Sequence, residues 1–170
     1  MSAELEMVDW GNRVRNLPCW SVVAASVGSC FSMSFGSKVP RPKPLRNAHL
    51  TSDEQNYDGQ YGLFVTTSPW CLFCDEKKIV DWTEDGSPNG PVDRGLSQLR
   101  DTGVSSVIFD PTTGNLELQF HPGSFVLLII AENLDPGDDG YCVFFPDRTV
   151  SLFANGSCEI KPQPVVAQPE

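Results

Sequence analysis

The chain lacks any apolar run near the about 18 residues that a membrane-spanning helix needs; its apolar stretches at residues 104–109 and 125–131 are far shorter. It lacks a basic start followed by an apolar run, since Glu4, Glu6 and Asp9 occupy that region, so no secretory signal is read there. These absences point to a soluble, cytoplasmic protein with no membrane contact. Basic residues are scarce as well: 12 Lys and Arg face 22 Asp and Glu, a net charge of −10. The imbalance is uneven, because residues 1–50 are net basic and the acids crowd into residues 51–170. Such a surface repels phosphate backbones, which argues against nucleic acid as a partner. Only two histidines, His49 and His121, are available as general bases, and neither adjoins an obvious nucleophile. No G-x-S-x-G elbow, phosphate-binding G-x-x-x-x-G-K-[ST] loop or G-x-G-x-x-G turn occurs. A non-enzyme without a cofactor is the expectation.

Apolar residues make up 40% of the chain and include ten Phe, four Trp and three Tyr, enough for a core. The length fits one domain or two small halves sharing that core. Long amphipathic helices are missing; residues 3–16 suggest a short helix, with Leu5, Val8 and Trp10 as its apolar face, and residues 92–99 suggest one or two helical turns. About nine short alternating strands with turn signals between them argue for a mainly-β fold. Phe31, Met33 and Phe35 line one face of a strand, and residues 125–130, apolar without alternation, predict a central strand buried on both sides. Residues 36–58 form a long insert carrying Pro40, Pro42 and Pro44, residues 84–95 a Gly- and Pro-rich linker, and residues 161–170 a disordered tail.

Residues 61–73 lie over residues 141–153 without a gap, with Leu63 over Val143, and residues 31–35 lie over residues 116–120 with the same alternation. A second register, residues 61–70 over 124–133, is nearly as good. An offset of about 80 residues suggests one β unit used twice. The expected fold is mainly β, with one or two short helices and two similar antiparallel units forming a barrel-like or two-sheet pseudo-symmetric domain. The first unit covers residues 1–83, the second residues 96–160.

Six cysteines are present, and a cytosolic setting favours free, buried thiols over disulfides. The sharpest local motif is Trp70-Cys71-Leu72-Phe73-Cys74. It resembles the Trp-Cys-x-x-Cys site of thioredoxin-like oxidoreductases, with residues 62–65 as the preceding strand and residues 75–82 as the helix that the motif opens. The resemblance implies Cys71 as attacking thiolate, Cys74 as resolving thiol and Pro111 as the proline facing them. The segment 75–82 is short for that family's helix, however, and Pro111 falls in an Asp-Pro-Thr-Thr-Gly turn. If the motif is a strand instead, Cys71 and Cys74 point to opposite faces. A lone Cys-x-x-Cys without a second ligand pair makes a weak zinc site, and no metal is expected.

Residues 135–140, Asp-Pro-Gly-Asp-Asp-Gly, form an acidic loop. It lacks the third-position acid of a calcium loop and reaches Pro146 where an EF-hand has its bidentate Glu. The acids expected to contact a partner are Asp53, Glu54 and Asp58 in the insert and Asp135, Asp138 and Asp139 in this loop, with Tyr57 or Tyr61 as aromatic anchor. In size, acidity, Trp- and Phe-studded strands and acidic loops, the chain resembles the small β-rich immunity proteins encoded beside bacterial polymorphic toxins. That resemblance implies a stoichiometric, electrostatically steered complex with a basic toxin domain whose active site is occluded. Two rivals remain open, a thiol-disulfide oxidoreductase using Cys71 and Cys74, and a structural or assembly module adding strands at an open sheet edge.

Overall fold

The structure, a computed structural model, describes residues 2–25 and 29–164. The fold is mainly β, as the alternation predicts. It holds eleven strands in one antiparallel sheet: β1 (Pro18–Ala24), β2 (Phe31–Pro40), β3 (Tyr57–Val65), β4 (Trp70–Cys74), β5 (Lys77–Asp81), β6 (Thr102–Phe109), β7 (Leu116–His121), β8 (Phe125–Ile129), β9 (Asp139–Phe144), β10 (Arg148–Phe153) and β11 (Cys158–Pro162). Three helices accompany them, α1 (Ala3–Val14), α2 (Ser52–Asn56) and α3 (Pro91–Ser97). The sheet order is β11-β10-β9-β3-β2-β1-β6-β7-β8-β4-β5. It ends in two open edges, so the expected barrel or pair of sheets is replaced by one continuous sheet.

That order reveals how the two halves combine. Each half contributes a three-stranded meander, β1-β2-β3 and β6-β7-β8, and the meanders join through β1 and β6. The later strands are exchanged: β4 pairs with β8 of the second half, and β9 pairs with β3 of the first. The strands at 31–35 and 116–120 therefore hold equivalent places, as do β3 and β8, the pair overlaid by the second register of the repeat. The match of 61–73 with 141–153 has a different origin. Leu63 and Val143, aligned in that overlay, are direct cross-strand neighbours. They resemble each other because they share one environment.

The sheet curls around a single core. Phe31 of β2 and Trp70 of β4 lie far apart in sheet order, yet their rings meet edge to face at 5.0 Å. The Trp70 indole N–H donates to the Ser29 carbonyl at 2.7 Å. Helix α1 covers the core from one side with Met7, Trp10 and Val14, and the Trp10 ring stands edge-on to Phe35 at 5.9 Å. Of the expected apolar face Trp10 is buried, but Leu5 and Val8 are exposed. The true face includes a buried Glu6, which accepts from Arg148 at 2.9 Å, while Asp9 accepts from the same guanidinium at 2.9 Å. Arg148 also lies 3.7 Å over the Phe145 ring, tying α1 to the β9–β10 hairpin.

The presumed linker is built into this core. Pro91 opens α3 at a first-turn position where its missing N–H costs nothing, and Val92, Leu96 and Leu99 are buried. Gly95 allows α3 to sit on β5, because a Cβ there would come 2.5 Å from Val80. Most of the insert's ends are strand, since β2 runs to Pro40 and β3 begins at Tyr57. Strand β8 is interior to the sheet, but Val126 and Leu128 on its outer face are only half-buried. Of the expected tail, 161–162 belong to β11, and 165–170 lie outside the described residues. Among the described residues no helix is long and apolar enough to cross a membrane.

Candidate binding site

The Cys-x-x-Cys segment is strand β4, not the start of a helix. Asp75 and Glu76, both with positive φ, turn the chain straight into β5, so residues 77–81 run back along the motif as a strand. Cys71 pairs with Asp81 and Leu128, and Cys74 pairs with Lys77 and Phe125. An offset of three along a strand directs their side chains to opposite faces, so the two do not form a dithiol. No helix N-terminus supports a Cys71 thiolate; partial burial, with Asp81 nearby, raises its thiol instead. All six cysteines are free. Among the described residues no three His, Cys, Asp or Glu side chains gather as a metal site.

The expected contact acids divide into three classes. Glu54 is not on the surface: it is only 3% exposed. Thr51 and Glu54 form a reciprocal capping box at the start of α2. The Glu54 carboxylate then accepts from Ser21 Oγ at 3.2 Å and from Arg100 Nη2 at 2.8 Å. Arg100 Nη2 also donates to the Val22 carbonyl at 2.8 Å, while its Nε is buried without a partner. Glu54 is thus a clamp that holds the insert on β1, and a buried carboxylate with its donors satisfied has little left to offer a partner. Asp53 and Asp58 are exposed, but each is matched within the chain, by Lys38 at 2.6 Å and by Arg41 at 2.5 Å. The expected anchor Tyr61 is buried beside Phe145, and Tyr57 is half-buried at the base of the insert.

Asp135, Asp138 and Asp139 form the third class. All three are exposed, and among the described residues none is matched by a Lys or Arg. Their loop is hydrogen-bonded within itself and at both ends. Asp138 N–H donates to the Asp135 carbonyl at 3.1 Å across Pro136 and Gly137, and Gly137 has φ +92°. This is a type II turn, with Pro and Gly where that turn favours them. Upstream, Asn115 Oδ1 accepts from the N–H groups of Ala131 and Glu132. Downstream, the Gly140 carbonyl receives the N–H groups of Thr66, Thr67 and Ser68 at 3.0, 3.2 and 3.1 Å. The acids of the insert and those of the loop do not sit together: Asp58 is near the start of β3, whereas Tyr141, just past the loop, pairs with Val65 at its end. At about 3.3 Å per residue, this separates them by roughly 23 Å.

A concave site missed by the sequence reading lies beside β1. Strand β1 meets β6 only at Pro18 and Cys19, and the gap that opens beyond this joint is closed by α3 and Arg100. What remains is a small cleft, open to solvent. One wall is the insert at His49, Leu50 and Glu54, and the other is formed by Pro88 and Asp93, with Val22, Val23 and Ala24 between them. No local signal announces it, because its walls come from three segments far apart in the chain. Comparison with protein-family models, with curated proteins and with solved structures finds no match for this chain.

Proposed function

We propose that the chain is a non-catalytic acidic binding protein that engages a basic protein partner, in the manner of an immunity protein occluding a toxin domain. The observation that carries this reading is the fixed turn that presents Asp135, Asp138 and Asp139 with no cation of the described chain to neutralise them. A preorganised turn loses little entropy on binding, and three like charges at one place steer a basic surface into contact. The net charge of −10 acts in the same direction at longer range. Asp53 and Asp58, already paired, are secondary contacts. The assembly reading has weaker support. Both edges of the sheet are open, but β5 carries Lys77 and Lys78 and β11 carries Glu159, Lys161 and Pro162, residues that discourage strand addition.

The test is binding to the basic protein encoded beside this gene, measured over a range of salt for the native chain and for D135K/D138K/D139K. Affinity should fall by more than tenfold in the variant, and the salt dependence should flatten. Unchanged affinity and unchanged salt dependence would remove this loop from the interface.

A further inference from the structure

Residues 125–131 are apolar without alternation, a pattern that fits a strand covered on both faces. The described chain covers one of them. Leu127, Ile129 and Ala131 point into the core, while Val126, Leu128 and Ile130 point away from it, half-buried. Register extends this outer face across the neighbouring strands. Ile108 of β6, Glu117 of β7, Leu128 of β8 and Cys71 of β4 form one row. Gln119, Val126 and Phe73 form the next. The apolar members lie outside the core, and Ile108 is 51% exposed. Among the described residues no helix rests on these rows: α1 meets β6 at Val107 and α3 meets β5 at Val80, both on the inner face. The equivalent face of the first meander has a cover of its own. There the insert between β2 and β3 lays Glu54 on Ser21, an outer-face residue of β1 that pairs with Ser34 and is buried. The corresponding connection between β7 and β8 is residues 122–124, too short to fold back over the strands. A contiguous apolar surface left bare by its own chain marks a contact with another molecule.

We propose that the outer face of β6-β7-β8-β4 is the apolar centre of the contact with the basic protein partner, with the acidic turn at its rim. The inference rests on the reading of a basic partner and deepens it by naming the surface that the turn borders. Chain continuity places the two together. Asp135 follows Ile130 by five residues, so their backbones are at most about 18 Å apart. A contact of ordinary size, about 800 Å² on each side and roughly 30 Å across, takes in both. An apolar centre that excludes water and a charged rim that steers approach are the two parts of a working interface. Charge selects the occupant. Glu117 stands within the apolar rows, and among the described residues no Lys or Arg pairs with it. A second copy of this chain would bring its own Glu117 and its own unmatched turn, so like charges oppose self-association. A partner surface with an apolar patch ringed by Lys or Arg meets both requirements.

The probe is the basic protein encoded beside this gene, and the native Cys71 thiol, free and half-buried within the face, reports its cover. Bound partner should slow alkylation of Cys71 by N-ethylmaleimide more than tenfold, located by mass spectrometry, with Cys158 on the opposite edge strand as control. I108T/V126T/L128T keeps β-forming residues and leaves the core face intact. It should weaken partner binding more than tenfold without changing its salt dependence. D135K/D138K/D139K acts on the salt dependence instead, so the two surfaces are read separately. Cys71 protection is measured on the native chain and stands whether or not the threonine variant folds. Unchanged affinity in a folded threonine variant, or Cys71 alkylation that bound partner leaves unslowed, would overturn the proposal while leaving the acidic turn to its own test. Protection of Cys71 with no effect of the loop variant on affinity would keep the face and sink the turn. Protection that rises with the concentration of the chain alone, with a doubled mass in sedimentation, would make the occupant a second copy and overturn the partner. A native chain that neither binds the basic protein nor protects itself in this way overturns both readings.

Discussion

Burial converts two cysteines into inert core residues, with a consequence for pH. Cys19 is fully buried, and loss of hydration pushes its thiol from an ordinary value near 9 up to about 12. Cys142 is raised to about 12 for the same reason, with the Asp139 charge adding to it. The folded state therefore holds these protons more tightly than the unfolded chain. Below pH 9 both states keep them and the thiols contribute no pH dependence. Above it the unfolded chain ionises while the folded chain does not, so stability falls until about pH 12. For Cys19 alone the expected loss at about pH 10.5 is about 2 kcal/mol, at about 1.4 kcal/mol per pH unit. Urea unfolding at about pH 8 and 10.5 checks this, and C19A should remove its share of the decline. A flat profile in the native chain would mean that Cys19 is solvated. The same residue scale explains why sequence reading misjudged Glu54. Nothing local marks it as buried, because its cation is Arg100, distant in the chain and near in the fold. The turn at Asp135 was legible, since Pro136 and Gly137 encode it directly.

At the scale of elements, alternation made strands readable wherever one face is apolar, as in β2 with Phe31, Met33 and Phe35 buried. It failed for β5 and β11. Lys77-Lys78-Ile79-Val80-Asp81 places a single side chain, Val80, fully in the core, so no period-two signal survives. Strand β11 sits in a polar, Pro-containing stretch and half-buries only Cys158 and Ile160. The α1 face was misread because the exposed stripe carries Leu5 and Val8 while the buried one includes Glu6, whose burial depends on Arg148. The β4–β5 hairpin shows local cost tolerated for topology. Asp75 and Glu76 both adopt left-handed backbone, with φ 50° and 64°, the pattern of a two-residue type I′ turn, which prefers Gly at its second position. Glu76 is exposed. E76G should raise stability by about 0.5–1 kcal/mol, relief of the left-handed penalty less the added freedom of the unfolded chain. Chemical denaturation measures it, and a loss of stability would show that the Glu76 side chain supports the turn.

At the scale of the whole molecule, the exchanged strands decide what can fold alone. Residues 1–86 contain β1 to β5, but the outer strand of that meander, β3, is completed by β9, and β4 is completed by β8. Residues 87–170 have the converse need. Each half on its own leaves one side of β3 or β8 and most of an apolar face without cover, and unsatisfied sheet edges of this kind favour aggregation over cooperative folding. The halves also share α3 and the single core, so a cut in the exposed loop at residues 86–89 divides one folding unit, not two. Fragments 1–86 and 87–170, prepared separately, should each lack a cooperative thermal transition. Mixed in equal amounts they should form a one-to-one complex with the strand content of the intact chain. The informative alternative is a monomeric fragment 1–86 that melts cooperatively, for that would require β4 to fold back beside β3 in place of β9. Such a result would mean that exchange is a choice between two near-equal pairings, with β4 and β9 competing for the same edge of β3.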